Sequence, residues 1–413
     1  MATEQTRPHR ARVHEVLDLS AGTGSEALRG YVVEATPEQV AAIRTDARVD
    51  FVEADGVVRA PEPVLRPAPV PRPPQGDAEH TPQAALPCVP NDPYFEEFQW
   101  GLEKIDAPSG SLCTRVRSAV AVLDTGVETT HEDLAAAVAG SVNFSQSPTA
   151  QDFNGHGTHV AGIAAAVTDN GIGVAGVARG TRLWNVKILN DDMTGSFESV
   201  AKGLYWVARH AKAYNIRVAN LSLTTPQSSQ VMRRAVRAAI RAGVTVVAAA
   251  GNLGTTQILY PAGYPEVISV AATGQDDKLS PFSTYGKWVD IAAPGADIVS
   301  TIIDNDYSNL SGTSMAAPFV SGAAAACLTT HRCHKGNVEA QLGRDTDPIP
   351  GTGTLFRYGR LNASCYRNRH HWDIALPQFG DRCRHFTTGQ QSPPGSVRRG
   401  LPADGAGPAS PSR

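Results

Sequence analysis

The sequence predicts an α/β protein in which a mainly parallel sheet lies between two layers of helices, preceded by a small α+β unit. Apolar runs at residues 119–123, 183–189, 218–223, 244–250 and 267–271 are short and continuous, as strands buried on both faces are. Amphipathic helical patterns at 197–214 and 227–242 alternate with those runs. Asp124 and Asn252 then stand at carboxyl ends of strands, where sheets of this kind place their sites.

Taken in order, residues 1–60 form the small unit. Gly30, Tyr31, Val32, Val33 and Glu34 alternate like a strand. Thr36-Pro37-Glu38-Gln39 is a helix start with a cap, a proline in the first turn and a capping-box glutamine. Val40, Ile43 and Ala47 share one helical face, and Val49-Asp50-Phe51-Val52-Glu53 returns as a strand. Residues 61–90 are rich in proline and poor in periodic apolar positions, which predicts an extended, exposed linker open to proteolysis.

The large domain spans 91–362. Val200, Leu204, Val207 and Ala211 form the apolar face of its first long helix, and Gly243 ends the second. A small-residue helix at 316–328 carries Pro318 in its first turn, where a missing N–H has no intrahelical acceptor to disappoint. Residues 363–413 form a basic extension whose only acids are Asp373, Asp381 and Asp404, with disorder expected from about 387.

Composition bounds the function. A chain of 413 residues, 41% apolar and 19% charged, is long enough for one large α/β domain and smaller attachments. A net charge of -3 on 40 acids and 37 bases gives no reason to expect nucleic acid or an anionic membrane as partner. The longest apolar run, 315–328, is too short to span a bilayer. The polar, basic stretch 1–12 leads into no apolar segment of the kind that opens a secretory leader. Six cysteines lean toward an oxidising compartment and leave their pairing open. Cys327 and Cys333 lie near His331 and His334, but the spacing matches no paired zinc knuckle.

The chemistry concentrates in four stretches. Ser311-Gly312-Thr313-Ser314-Met315-Ala316-Ala317-Pro318 puts a hydroxyl in the positive field of a helix N-terminus. Val122-Leu123-Asp124-Thr125-Gly126 supplies an acid, Asn154-Gly155-His156-Gly157-Thr158-His159 a base, and Ala249-Ala250-Gly251-Asn252 an amide donor. An alcohol is a weak nucleophile until a base takes its proton. In these motifs and in the order Asp, His, Asn, Ser, the chain resembles a subtilisin-like serine protease from about residue 30 to about residue 362.

That resemblance implies a subtilisin-like three-layer fold, a propeptide half in residues 30–60 that assists folding and then inhibits, and an endopeptidase made as a zymogen. It assigns Ser314 as nucleophile, His156 as base, Asp124 as the group that orients His156, and Asn252 with the Ser314 N–H as oxyanion donors; His159 is structural. Met193-Thr194-Gly195 and Leu221-Ser222-Leu223 would flank a peptide as added strands. The pocket for the residue before the scissile bond would be walled by 221–225 and by Ala249, Ala250 and Gly251, with Leu253 at its rim. No wall residue is charged, so an apolar side chain is expected there. Thr224 and Thr225 stand where many family members carry glycines, which narrows the entrance. Asp92, Asp133 and Asn170 match calcium ligands of the family; the chemistry itself requires no cofactor. Protein or peptide substrates, a monomeric state and secretion follow from the same resemblance, with a cytoplasmic location as the alternative. Three other readings stay open: an αβ appendage unrelated to a propeptide, or one truncated or begun upstream; a protease-like binding protein; and an esterase using the same triad.

Overall fold

The computed structural model describes residues 12–19, 28–63, 68–70, 88–349 and 355–367. Strand β1 (Arg12–Leu19) pairs antiparallel with β2 (Leu28–Glu34). Helix α1 (Pro37–Arg44) follows, and Thr36 caps it reciprocally with Gln39 as the sequence predicts. The strand expected at 49–53 does not form. Those residues have no regular structure: Glu53 accepts from Gln230 N and Val231 N of the large domain, and just beyond them Asp55 accepts from Glu198 N. The strand comes later, as β3 (Val57–Arg59), and a two-residue strand β4 (Ala68–Pro69) follows.

Two short helices, α2 (Phe95–Phe98) and α3 (Trp100–Lys104), lead into the sheet. Its strands and helices alternate: β5 (Ala119–Asp124), β6 (Val138–Asn143), α4 (His156–Ala165), β7 (Arg182–Lys187), β8 (Thr194–Ser196), α5 (Phe197–His210), β9 (Ile216–Leu221), α6 (Gln230–Arg241), β10 (Thr245–Ala249), β11 (Ile268–Thr273) and β12 (Ile291–Pro294). Seven of these strands form one sheet in the order β12-β11-β10-β9-β5-β7-β6, and each neighbouring pair is parallel. A hairpin of β13 (Ile298–Ile302) and β14 (Asp306–Leu310), α7 (Thr313–Thr329) and α8 (Val338–Arg344) complete the domain.

Strand parity decides the layers. Ala119, Ala121, Leu123, Leu221, Val246 and Ala248 join α5 and α6 in one apolar core. The alternate positions face α7, as the bond from Ser321 Oγ to Asn220 Oδ1 at 2.8 Å records. The sheet therefore lies between helices on both faces, with β9 at the centre and its carboxyl end beside that of β5. Helix α7 is buried over most of its length, which its run of alanine, glycine and serine permits. Disulfides Cys88–Cys113 and Cys327–Cys333 pin the chain ahead of β5 and the end of α7; Cys365 is also disulfide-bonded. The pair at Cys327–Cys333 removes the thiolates that a zinc site there would need. Residues expected to be disordered from about 387 lie outside the described residues.

Candidate active site

Ser314 is the second residue of α7, after the N-cap Gly312. Helix α7 starts earlier than the sequence suggests, so Pro318 sits inside the helix and not in its first turn. Proline has no N–H for the carbonyl four residues back, and here that carbonyl belongs to Ser314. Ser222 Oγ donates to it at 2.8 Å, which supplies the bond the helix cannot. Ser314 Oγ donates to the Ser222 carbonyl at 3.4 Å.

His156 opens α4 at the point where Gly155 takes φ 101°, a conformation open to glycine. A Cβ at Gly157 would meet the Gly126 carbonyl at 2.1 Å, so the motif's second glycine lets this helix end close on the tip of β5. There Asp124 Oδ1 accepts from His156 Nδ1 at 2.7 Å and from Thr125 N at 2.7 Å. A carboxylate only accepts, so this contact fixes the proton on Nδ1 and leaves Nε2 as the basic nitrogen. Nε2 is buried and has no hydrogen-bond partner among the described residues. Burial disfavours the imidazolium, but the charge and hydrogen bond of Asp124, helped by Asp152, outweigh it and raise the His156 pKa above the ordinary value. His159 behaves differently: its Nε2 meets the Ser308 carbonyl at 3.0 Å, and burial, with His156 nearby, pushes it down to about 3.

Sequence reasoning missed Asp152. Its Oδ1 accepts from Thr125 Oγ1, Asn154 N and Gly155 N, each at 3.0 Å, and its Oδ2 from Thr158 N at 2.9 Å and Thr158 Oγ1 at 2.7 Å. It thus ties the end of β5 to the start of α4, the two elements that carry the acid and the base. The readable signal was an aspartate just ahead of a helix start, a capping arrangement. Lys187, wholly buried, donates to the Thr125 carbonyl and to Asp191 Oδ1 from the neighbouring strand.

Asn252 lies just beyond β10. Its Oδ1 accepts from Thr313 N at 2.9 Å and Thr313 Oγ1 at 3.0 Å, and Thr313 Oγ1 accepts from Gly251 N at 3.0 Å. With the oxygen so engaged, Nδ2 must point outward. It donates to the Glu62 carbonyl at 3.2 Å.

That carbonyl belongs to a peptide segment filling a groove. On one side β3 pairs antiparallel with β8, Val58 opposite Gly195 and Arg59 opposite Thr194, and Ala60 N donates to the Met193 carbonyl at 3.1 Å. On the other side Arg59 N donates to the Thr224 carbonyl at 3.0 Å and Thr224 N to the Arg59 carbonyl at 2.7 Å. On the first side the pairing involves Met193, Thr194 and Gly195; on the second it falls at Thr224, one residue past the expected Leu221-Ser222-Leu223. The Leu221 and Leu223 side chains pack into the core beneath α5 and α6. Met193 holds φ 66°; Thr194 and Gly195 are half-buried. Ala249 and Ala250 are buried at the end of β10, Gly251 takes φ 106°, and Leu253 is exposed. Asp124, His156 and Ser314 are 1%, 2% and 1% exposed.

Away from the groove, Asp92, Asp133 and Asn170 converge. Asp92 accepts from Asp169 N at 3.0 Å and Asn170 N at 3.2 Å; Asp133 accepts from Asn170 Nδ2 at 2.8 Å and Val174 N at 2.8 Å. Burial pushes Asp92 up to about 6 and Asp133 to about 7. Asn170 Oδ1 accepts from Ile172 N at 2.8 Å, so the amide turns its nitrogen and not its oxygen toward Asp133. Among the described residues no three His, Cys, Asp or Glu side chains group as a metal site.

Comparison with known proteins accords with this geometry. The model of the Subtilase family matches residues 117–342. Thermitase of Thermoactinomyces vulgaris is 43% identical over 277 residues, 67% of this chain and 98% of thermitase. Subtilisin BL of Lederbergia lenta is 45% identical over 272 residues, 65% of this chain and 98% of that protein. A thermophilic serine proteinase of Bacillus sp. (strain AK1) is 42% identical over 280 residues, 67% of this chain and 68% of the relative.

Proposed function

From the premise that this chain belongs to the subtilase family and is a subtilisin-like serine peptidase, we propose that it is an endopeptidase working through Asp124, His156 and Ser314. Ser314 Oγ attacks the scissile carbonyl carbon while its proton passes to His156 Nε2. Asp124 holds Nδ1–H and stabilises the imidazolium that forms. The oxyanion accepts from Asn252 Nδ2 and the Ser314 N–H. The carbon–nitrogen bond then breaks, the leaving amine takes the proton from His156, and water repeats the sequence in reverse on the acyl-enzyme.

The observation that carries this reading is the Glu62 carbonyl on the Asn252 amide, within a segment paired as a strand on both sides. A site that holds a peptide carbonyl there is built for acyl transfer on peptides, and sequence-blind backbone pairing suits a peptidase better than an esterase. The same occupancy supports a zymogen, with residues up to 62 acting as an inhibitor in cis. The uncharged walls of the pocket support preference for an apolar residue before the scissile bond. Peptides varied only at that position provide the test: Leu, Met or Phe should be cleaved fastest, and fastest cleavage after Arg or Asp would refute the pocket.

The two buried carboxylates of Asp92 and Asp133 support a structural calcium ion joining the start of the large domain to the loop at 169–174, which Asn170 would join by turning its amide oxygen toward Asp133. No helix among the described residues is long and apolar enough to cross a membrane. The disulfides, Cys88–Cys113 and Cys327–Cys333 among them, support export, since such bonds persist in oxidising compartments.

A further inference from the structure

We infer that the segment lying in the groove is not cut where it lies, because Pro61 and Pro63 bracket the carbonyl that, among the described residues, it offers to Asn252; the activating cut falls elsewhere, and the segment is a retained inhibitor until then. This rests on the peptidase reading and concerns how that site is regulated.

The ladder itself shows where pairing stops. Arg59 exchanges both backbone bonds with Thr224. In an antiparallel ladder the next such exchange joins residues two further along on each strand, which here are Pro61 and Ser222. Pro61 has no N–H, so the Ser222 carbonyl receives no strand bond from it. That carbonyl accepts from Ser314 Oγ at 3.4 Å instead, and His156 Nε2 has no hydrogen-bond partner among the described residues. In this arrangement Ser314 Oγ has its hydrogen bond to the Ser222 carbonyl and none to His156 Nε2.

Neither bond around Glu62 suits the reaction. At Pro61–Glu62 the carbonyl to be attacked is that of Pro61, but the Asn252 amide is engaged one residue downstream, at Glu62. At Glu62–Pro63 the carbonyl is in place, but the leaving atom is a proline ring nitrogen. It bears Cδ where an ordinary amide bears hydrogen, which crowds the approach of His156 to deliver its proton and restricts the backbone of Glu62. Cleavage of either bond requires near-attack alignment of oxygen, carbon and nitrogen together. Strand bonds hold the segment firmly, and the prolines deny it that alignment.

The test compares the full chain, its Ser314→Ala variant and a Pro61→Leu/Pro63→Ala double variant, reading new N-termini by mass spectrometry and labelling each protein with a fluorophosphonate. The expected result is a wild-type protein without a Ser314-dependent N-terminus after residue 61 or 62, which labels only once the segment has been removed by a cut elsewhere, and a double variant that gains such an N-terminus at least tenfold faster and labels without that cut. A wild-type protein cut at either bond in a Ser314-dependent way overturns the inference, as does a labelled double variant left uncut there. If no form ever labels, the peptidase reading itself fails, which is a separate result.

Discussion

At the scale of the residue, the Asp124–His156 contact makes a quantitative claim. Asp124→Asn should keep the fold while lowering kcat by about 10,000-fold, because an amide in that place favours the wrong imidazole tautomer. The pH profile carries the sign. His156 acts as a base only when neutral, so kcat/KM falls as pH drops through its pKa, and the raised value puts that acid limb above the ordinary histidine range of about 6.5. Removing the Asp124 charge leaves burial dominant and should move the limb to lower pH. Asn252→Ala should lose about 100- to 1000-fold in kcat with little change in KM, the range known for this donor in subtilisin. The residues named in these predictions were legible because their motifs are local. Asp152 and the parts played by the Ser222 and Thr313 hydroxyls were not, since these are bonds to Thr158, Ser314 and Asn252 that exist only once separate strand and helix ends meet.

At the scale of the element, the helix ends decide what holds. Ser222→Ala removes the donor that satisfies the Ser314 carbonyl opposite Pro318 and should cost about 1–3 kcal/mol of stability in denaturant unfolding, the penalty for a buried acceptor left alone. The α4 start gives a pH dependence of stability. His159 titrates at about 3 in the fold against about 6.5 unfolded, so its contribution is complete above the unfolded value and is lost as pH falls toward the folded one. Stability should therefore drop by up to about 1.4 kcal/mol per pH unit over that window, and His159→Asn should flatten this part of the curve. Where the loop at 169–174 meets Asp92 and Asp133, calcium at about 100 times its Kd should add about 2.7 kcal/mol over chelator. Identical melting temperatures in calcium and chelator would remove the proposed ion. The sheet strands and long helices were readable from apolar runs and helical periodicity. Strands β3 and β4 were not, because each is two or three residues long and is defined by an edge it joins far along the chain. The same fact explains the strand wrongly expected at 49–53: alternation there reflects acids turned toward the ends of α5 and α6.

At the scale of the whole molecule, one chain supplies both the groove and its occupant. Motifs in the sequence pointed to the protease and to an inhibitory N-terminal half, yet the path of 57–62 between β8 and Thr224 emerges only from tertiary pairing. A self-filled groove means the full chain should hydrolyse peptides slowly until the segment leaves, and limited proteolysis ahead of residue 90 should raise the rate. The central claim is that Ser314 is the nucleophile. After such activation, a fluorophosphonate should attach in one-to-one ratio, and peptide mapping should place the adduct on Ser314, with labelling abolished in Ser314→Ala and slowed in Asp124→Asn. An adduct on another residue, or undiminished labelling in Ser314→Ala, would contradict it.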